Sequence, residues 1–411
     1  MTKIEQYLYS WNSQPKPHLQ SVKIEDDSLR DGLQGVFVRK PSIEQKKELL
    51  TLSSAVGTQA VMLGFPASSQ QEFESCQELI RHIETEALPL TPRFLARPLI
   101  QDLEPIVKLV RDSSVDVWSD FLINASPLRA YVEGWDFEKM LQINREAGEF
   151  LRQQKTRFGV SIEDATRTPP ERLQLAIDTA ISCGAEVLTI CDTVGAATPE
   201  GAARLVRFVS DRVADSGAEI WWHGHNDMGL SLSNAIAAAE AGANCISGSF
   251  LGIGERTGNT PLEQFLIYLH QRGHRGFDIS QIVTYCQRLA AYTETAIPPN
   301  APLVGSQAFA TCTGTHGAAI AKARAFGEDF EDLIFSSVPA NHLGRQQTIL
   351  LGPTSGSANA RLVLSAAGIE PNQKNVEKIL RVARSLDTWL DSDRVRVEFG
   401  VKEKTVLLSP E

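Results

Sequence analysis

The stretch Ala218-Glu219-Ile220-Trp221-Trp222-His223-Gly224-His225-Asn226-Asp227 decides the reading of this chain. Its apolar first half reads as a strand, and the following Ser231-Leu232-Ser233-Asn234-Ala235-Ile236-Ala237 reads as a helix. Side chains alternate along a strand, so His223 and His225, two residues apart, point the same way. Both imidazoles then face one point at the strand's carboxyl end, where a loop leads into a helix. Two ligands are presented to one divalent metal in this manner. For an H-x-H standing alone, a pair of partly buried structural histidines is the plain alternative.

Working outward, the same strand-then-helix unit recurs. Apolar strand-like runs fall at 22–25, 60–63, 93–96, 115–122, 157–161, 187–190, 219–222 and 245–249, with helical patterns such as 43–54, 71–84, 170–182 and 199–214 between them. Eight such units in about 250 residues predict an α/β fold, a (β/α)8 TIM barrel, rather than an open doubly wound sheet. No Gly-rich dinucleotide loop follows the first strand, which also disfavours the open sheet. After Ile297-Pro298-Pro299-Asn300-Ala301-Pro302 the alternation stops. The expected organisation is an N-terminal extension over 1–21, a barrel over 22–290 and a mainly helical C-terminal subdomain over 291–411.

The 411 residues carry a formal net charge of −10 and no basic cluster, which argues against a nucleic-acid partner. No apolar run reaches the length of a membrane span, and the first twenty residues carry neither secretory nor transit features, so a cytoplasmic protein is expected. The six cysteines (Cys76, Cys183, Cys191, Cys245, Cys286, Cys312) show no CxxC spacing and read as reduced, mostly core-filling thiols.

Barrel chemistry gathers where strands end and loops begin. Those positions hold Asp27-Ser28-Leu29-Arg30-Asp31-Gly32-Leu33-Gln34, Ser161-Ile162-Glu163-Asp164-Ala165, Cys191-Asp192-Thr193-Val194-Gly195, the two histidines, and Gly252-Ile253-Gly254-Glu255-Arg256-Thr257-Gly258-Asn259. Taken in order with Gly64-Phe65-Pro66, these segments resemble the DRE-TIM metallolyase superfamily. Within it they are most similar to the Claisen-condensing branch of 2-isopropylmalate, citramalate and homocitrate synthases. The resemblance covers about 22–321, with weaker echoes to about 360.

The resemblance implies Asp31, His223 and His225 as metal ligands, with Asn259 in or near the coordination sphere. A mixed nitrogen and oxygen set of this kind suits Mn2+, Zn2+ or Mg2+. It implies Arg30 as a fixed cation over the oxygen that gains charge, and Thr193, with Ser161, as holders of a 2-oxo acid's carboxylate; Gln34 is a further binding candidate. It implies acetyl-CoA as co-substrate. Glu163 and His316, the latter in Thr313-Gly314-Thr315-His316-Gly317, match catalytic residues of the family, and the base is not assigned between them. In the family the histidine reaches the site from a neighbouring subunit, which implies a homodimer. Glu255 reads as ordering the Asn259 loop or pairing with Arg256.

Some positions depart from the family pattern. Leu33 stands where these synthases carry Glu or Asn, Met62 replaces an acidic residue, Asp120 falls where a histidine is common, and Phe335 replaces a tyrosine. Leu33 and Met62 make the wall apolar, and no dedicated cation for a second substrate carboxylate is found at the aligned positions. The expected acceptor is therefore a 2-oxo acid with an apolar, branched or aromatic side chain. Leucine-regulated members carry a further regulatory domain, for which no room is expected before Glu411.

Three other functions compete. The lyase branch cleaves a 3-hydroxy-3-methylglutaryl-CoA-like thioester, but its loop cysteine has no counterpart in Leu251-Gly252-Ile253-Gly254-Glu255-Arg256. Biotin-dependent carboxyltransferases of this barrel need a metal-site lysine, which is not found. A non-catalytic binder of a metal–oxo-acid complex would not need Arg30, Glu163 and His316.

Overall fold

The computed structural model describes residues 4–12 and 16–401; residues 1–3, 13–15 and 402–411, parts of the expected extension and C-terminal subdomain, lie outside the described residues. Contacts group the chain into two compact units, Gln14–Ala296 and Ile297–Glu411 with Met1–Ser13. Residues 4–12 thus group with the C-terminal part.

In the larger unit eight strands pair in parallel in sequence order and close into a barrel: β1 (Lys23–Asp26), β2 (Ala60–Gly64), β3 (Thr91–Ala96), β4 (Trp118–Asn124), β5 (Phe158–Glu163), β6 (Val187–Asp192), β7 (Glu219–Gly224) and β8 (Cys245–Gly248). The helices are α1 (Ile43–Val56), α2 (Gln70–Thr85), α3 (Ile100–Arg111), α4 (Pro127–Glu133), α5 (Phe137–Gln153), α6 (Pro170–Cys183), α7 (Pro199–Val213), α8 (Ser231–Ala241), α9 (Leu262–Gln271) and α10 (Ile282–Thr293). Local chemistry sets their ends. Ser42 and Gln45 form a reciprocal capping box at the start of α1, and Gly57 ends that helix in the left-handed region at φ 97°.

Period-two alternation divides each strand between the barrel interior and the helix layer. Ile24, Val61, Phe94, Phe121, Val160, Leu188, Trp222 and Ile246 are fully buried apolar positions of one set. The other set builds the interior in layers. At the amino-terminal end Ala60, Trp118, Val187, Trp221 and Cys245 cluster. Above them Arg93 ion-pairs with Glu25 and Asp120 and covers the Trp221 ring at 4.0 Å. Gly159 leaves the space this guanidinium fills: a Cβ there would stand 2.6 Å from Arg93 Nη2. Further toward the carboxyl end come Met62, Leu95, Leu122, Thr189 and His223, which line a cavity.

β4 begins later and ends later than the sequence pattern suggests, because Ile123 and Asn124 still pair with Ile162 and Glu163 of β5. A short helix, α4, follows it with Pro127 at its first turn and Gly134 at its end.

The smaller unit holds α11 (Gly314–Ala323), α12 (Glu328–Leu333), α13 (Ser357–Ala366), α14 (Gln373–Arg384) and α15 (Ser392–Glu398), plus a two-stranded parallel sheet of β9 (Ala310–Thr311) and β10 (Thr348–Ile349). Its core packs Ile320, Leu351, Val363, Leu364, Val376 and Ile379. The sheet was not foreseen, since two-residue strands carry no readable alternation. All six cysteines are free thiols, five of them buried. No helix among the described residues is long and apolar enough to cross a membrane.

Candidate active site

The carboxyl ends of the strands surround a cavity of about 700 Å³, the size of a small-molecule site. Asp31, His223 and His225 meet in it. Their ligand atoms all lie within 4.8 Å of one another. His223 Nε2 and His225 Nε2 are 3.4 Å apart, and Asp31 Oδ2 is 3.6 Å from the first and 3.7 Å from the second. β7 sets the imidazoles on one face, as the two-residue spacing requires, and the turn after β1 brings Asp31 opposite.

Neighbouring groups fix the cluster. Asp27 accepts from the Asp31 backbone amide at 3.0 Å and from Arg30 Nε at 3.0 Å, and ion-pairs with Arg30 Nη2. Ser247 Oγ is 3.3 Å from His223 Nδ1. Asn259 Nδ2 donates to Asp31 Oδ2 at 2.7 Å. Arg256 ties three loops together by donating to Asp227 Oδ1 and Oδ2 and to the Thr193 carbonyl.

The electrostatics suit a cation. Burial works to raise the Asp31 pKa, but the Arg30 guanidinium and the two imidazoles outweigh it and hold the carboxylate well below the usual range. Burial pushes Asp27 up to about 7, against the pull of Arg30. Burial and the neighbouring His223 push His225 down to about 4, so its imidazole is neutral and has a lone pair to offer. For His223 burial opposes the charged form, yet the hydrogen bond and charge of Asp31, with Asp27 behind, raise its pKa.

Two observations test the fit to a metal. His225 Nδ1 and Asn259 Oδ1 are buried without a hydrogen-bond partner, as expected of groups that serve a ligand or its surroundings. Two imidazole nitrogens at about 2.1 Å from one tetrahedral cation stand about 3.4 Å apart, which matches the His223–His225 separation. The donor set fits a divalent cation.

The remaining sequence candidates divide. Arg30, Gln34, Met62, Ser161, Glu163 and Thr193 line the cavity. Glu163 accepts from Asn124 Nδ2 at 2.8 Å and ion-pairs with Arg129. Thr193 Oγ1 accepts from the Asp164 amide at 2.8 Å. Leu33 is buried in the turn after Asp31 and is not among the lining residues. Asp120 needs correction as a wall residue: it is fully buried a layer below, ion-paired to Arg93 and accepting from Ser161 Oγ at 2.6 Å. The contribution from this side comes from Leu122 and, beyond the strand, Arg129. His316 belongs to the smaller unit, where its ring stacks on Phe335 at 4.0 Å. Arg129, Glu25, Leu95, Leu122 and Cys191 also line the cavity and were missed. Except for Arg129, counting by twos along each strand from the mouth would have found them.

A closed parallel barrel with a carboxylate–imidazole cluster at its carboxyl mouth defines a barrel enzyme with a metal-type site. Residues 21–289 match the HMGL-like family model. A 2-isopropylmalate synthase of Methylacidiphilum infernorum is 31% identical over 362 residues, covering 86% of this chain and 69% of that protein. A homocitrate synthase of Methanopyrus kandleri is 30% identical over 387 residues, covering 94% and 91%. Among solved structures, hydroxymethylglutaryl-CoA lyase from Pseudomonas aeruginosa superposes with a TM-score of 0.55 at 22% identity, covering 66% of this chain and 93% of that one. The chain belongs to the HMGL-like (DRE-TIM) family of enzymes.

Proposed function

We propose that this chain condenses acetyl-CoA with a 2-oxo acid bearing an apolar side chain, giving a 2-substituted malate and free CoA. The observation that carries the reading is the convergence of Asp31, His223 and His225 in a cavity whose side wall is Met62, Leu95 and Leu122. The relatives named 2-isopropylmalate synthase and homocitrate synthase support the reaction class.

Asp31, His223 and His225, with Asn259 beside them, would hold Mn2+, Zn2+ or Mg2+, which when bound supplies Lewis-acid polarisation of a keto group. Thr193 Oγ1 accepts the Asp164 amide proton, so its own hydroxyl proton is available to the oxo acid's carboxylate. Ser161 directs its proton to Asp120 and is the weaker candidate for that role. Arg30, pinned by Asp27, sets a fixed positive charge where the attacked carbonyl oxygen gains charge. Glu163 or His316 takes a methyl proton from acetyl-CoA, and the resulting carbanion carbon bonds to the keto carbon. The alkoxide takes up a proton, and water then cleaves the thioester. In the proposed homodimer His316 acts on the neighbouring barrel.

Charge pairing supports the apolar acceptor. The lining arginines Arg30, Arg129 and Arg256 each face a carboxylate of the chain: Asp27, Glu163 and Asp227. A second substrate carboxylate would enter without an uncommitted cation, at a high desolvation cost. The lyase reading fares worse. The loop after β8 lacks a cysteine, and the thiol that does line the cavity, Cys191, is pushed well above its ordinary pKa by burial.

The test is a free-thiol assay of acetyl-CoA with a panel of 2-oxo acids. Oxo-acid-dependent CoA release, fastest with apolar acceptors, supports the synthase. Thioester cleavage yielding acetyl-CoA means a lyase, and neither activity with tight metal binding means a binder. Highest kcat/KM with 2-oxoglutarate or oxaloacetate would contradict the apolar acceptor.

A further inference from the structure

We propose that Arg129 is a positioning residue for the condensation and acts through Glu163. With Asn124 it grips both carboxylate oxygens of Glu163 and so fixes where that carboxylate points. The inference rests on the synthase reading and adds to it a residue that no motif in the chain marks.

Asn124 and Glu163 are the last residues of β4 and β5 and stand directly opposite in the strand register. Their side chains therefore share a side, and Asn124 Nδ2 donates to Glu163 Oε2 at 2.8 Å. The other oxygen, Oε1, is ion-paired with Arg129 Nη1. Arg129 comes from α4, one turn beyond Asn124, where Ser126 Oγ caps the helix by accepting from the Arg129 amide at 3.3 Å. The guanidinium lies over the Trp135 ring at 5.1 Å, and its Nε is 3.9 Å from Glu133. The arm is thus held by its own short helix and the turn after it.

A carboxylate offers about four acceptor positions, so two remain on Glu163 for a group in the cavity. Held at both oxygens, it is biased toward one orientation, and proton transfer depends steeply on such placement. The Arg129 side chain is 46% exposed, and a half-exposed ion pair adds little to folding stability. Its consequence lies in the cavity, which both residues line. A purely structural arginine would tie two elements together away from the reacting groups. This one spans from α4 to the carboxylate proposed for proton transfer.

The test uses the full chain with R129Q, R129K, E163Q and the double variant R129Q/E163Q, measuring kcat and both KM values in the CoA-release assay. R129Q is expected to lower kcat about 10- to 100-fold while both KM values stay within about twofold. R129K, which keeps the charge but loses the fork, is expected to recover part of the loss. In the E163Q background, removing Arg129 is expected to cost nothing further, since its effect runs through Glu163. Should E163Q fall below detection, the KM split of R129Q and the rescue by R129K decide. An R129Q enzyme with unchanged kcat would overturn the inference, as would a raised KM for either substrate or losses that add across the cycle, both of which mean direct substrate contact. A wild-type chain that releases CoA with no oxo acid overturns the functional reading itself, whereas the former outcomes leave that reading standing.

Discussion

His223 Nε2 and His225 Nε2 face each other across 3.4 Å, with the Asp31 carboxylate closing the third side. Nothing in ordinary packing asks two imidazole nitrogens and a carboxylate oxygen to converge inside a cavity, whereas a divalent cation asks for that set.

Cation binding should depend on pH in a definite direction. His223 holds its proton more tightly than free histidine because Asp31 and Asp27 outweigh the burial that opposes its charge. Proton and metal compete for the same nitrogen, so affinity is low below that raised pKa, climbs as pH rises through it and levels above. His225, pushed down to about 4, adds no competition at neutral pH. Calorimetric Mn2+ titrations across pH should show one proton released at the low end and none on the plateau.

Replacing Thr193 with Ala should raise the KM for the oxo acid more than it lowers kcat. A hydrogen bond to a charged group contributes about 1.5–3 kcal/mol, or roughly 10- to 100-fold in KM. The Asp164 amide also loses its acceptor, so a loss of thermal stability accompanies the change. Steady-state kinetics on both substrates separate the two effects.

Gly159→Ala should destabilise the barrel by about 1–3 kcal/mol through overpacking. Its Cβ would stand 2.6 Å from Arg93 Nη2 and 2.7 Å from Asp120 Oδ2, inside a buried ion pair that cannot move aside into solvent. Urea unfolding should show a lower midpoint at unchanged slope; an unchanged midpoint contradicts the layered interior described above.

His316→Ala should cut kcat by about 10²–10⁴, the range of a general acid–base contribution, and leave metal content unchanged. A normal rate would remove His316 from the mechanism.

The βα alternation made the barrel legible because parallel strands buried on both faces leave short apolar runs at regular intervals. The candidate site was legible where a residue sits at a strand's carboxyl end or in the turn just after it, as Asp31, Glu163, Thr193, His223 and His225 do. Depth along a strand was not. Asp120 and Leu122 have the same inward direction, and only the three-dimensional layering shows that Asp120 belongs with Arg93 beneath the cavity. Leu33 is named from the family pattern rather than from strand alternation, and the short turn Gly32–Gln34 that carries it keeps its side chain off the cavity lining. Arg129 was invisible for a related reason: α4 is a seven-residue helix inserted after β4, and its meeting with Glu163 is a contact across 34 positions that no local pattern encodes.

The most direct measurement is diffraction from crystals grown with Mn2+, collected where the metal scatters anomalously. The account predicts one strong anomalous peak about 2.0–2.3 Å from an Asp31 oxygen and from one nitrogen each of His223 and His225. No peak there at saturating Mn2+, or a peak held by other residues of the barrel, would contradict it.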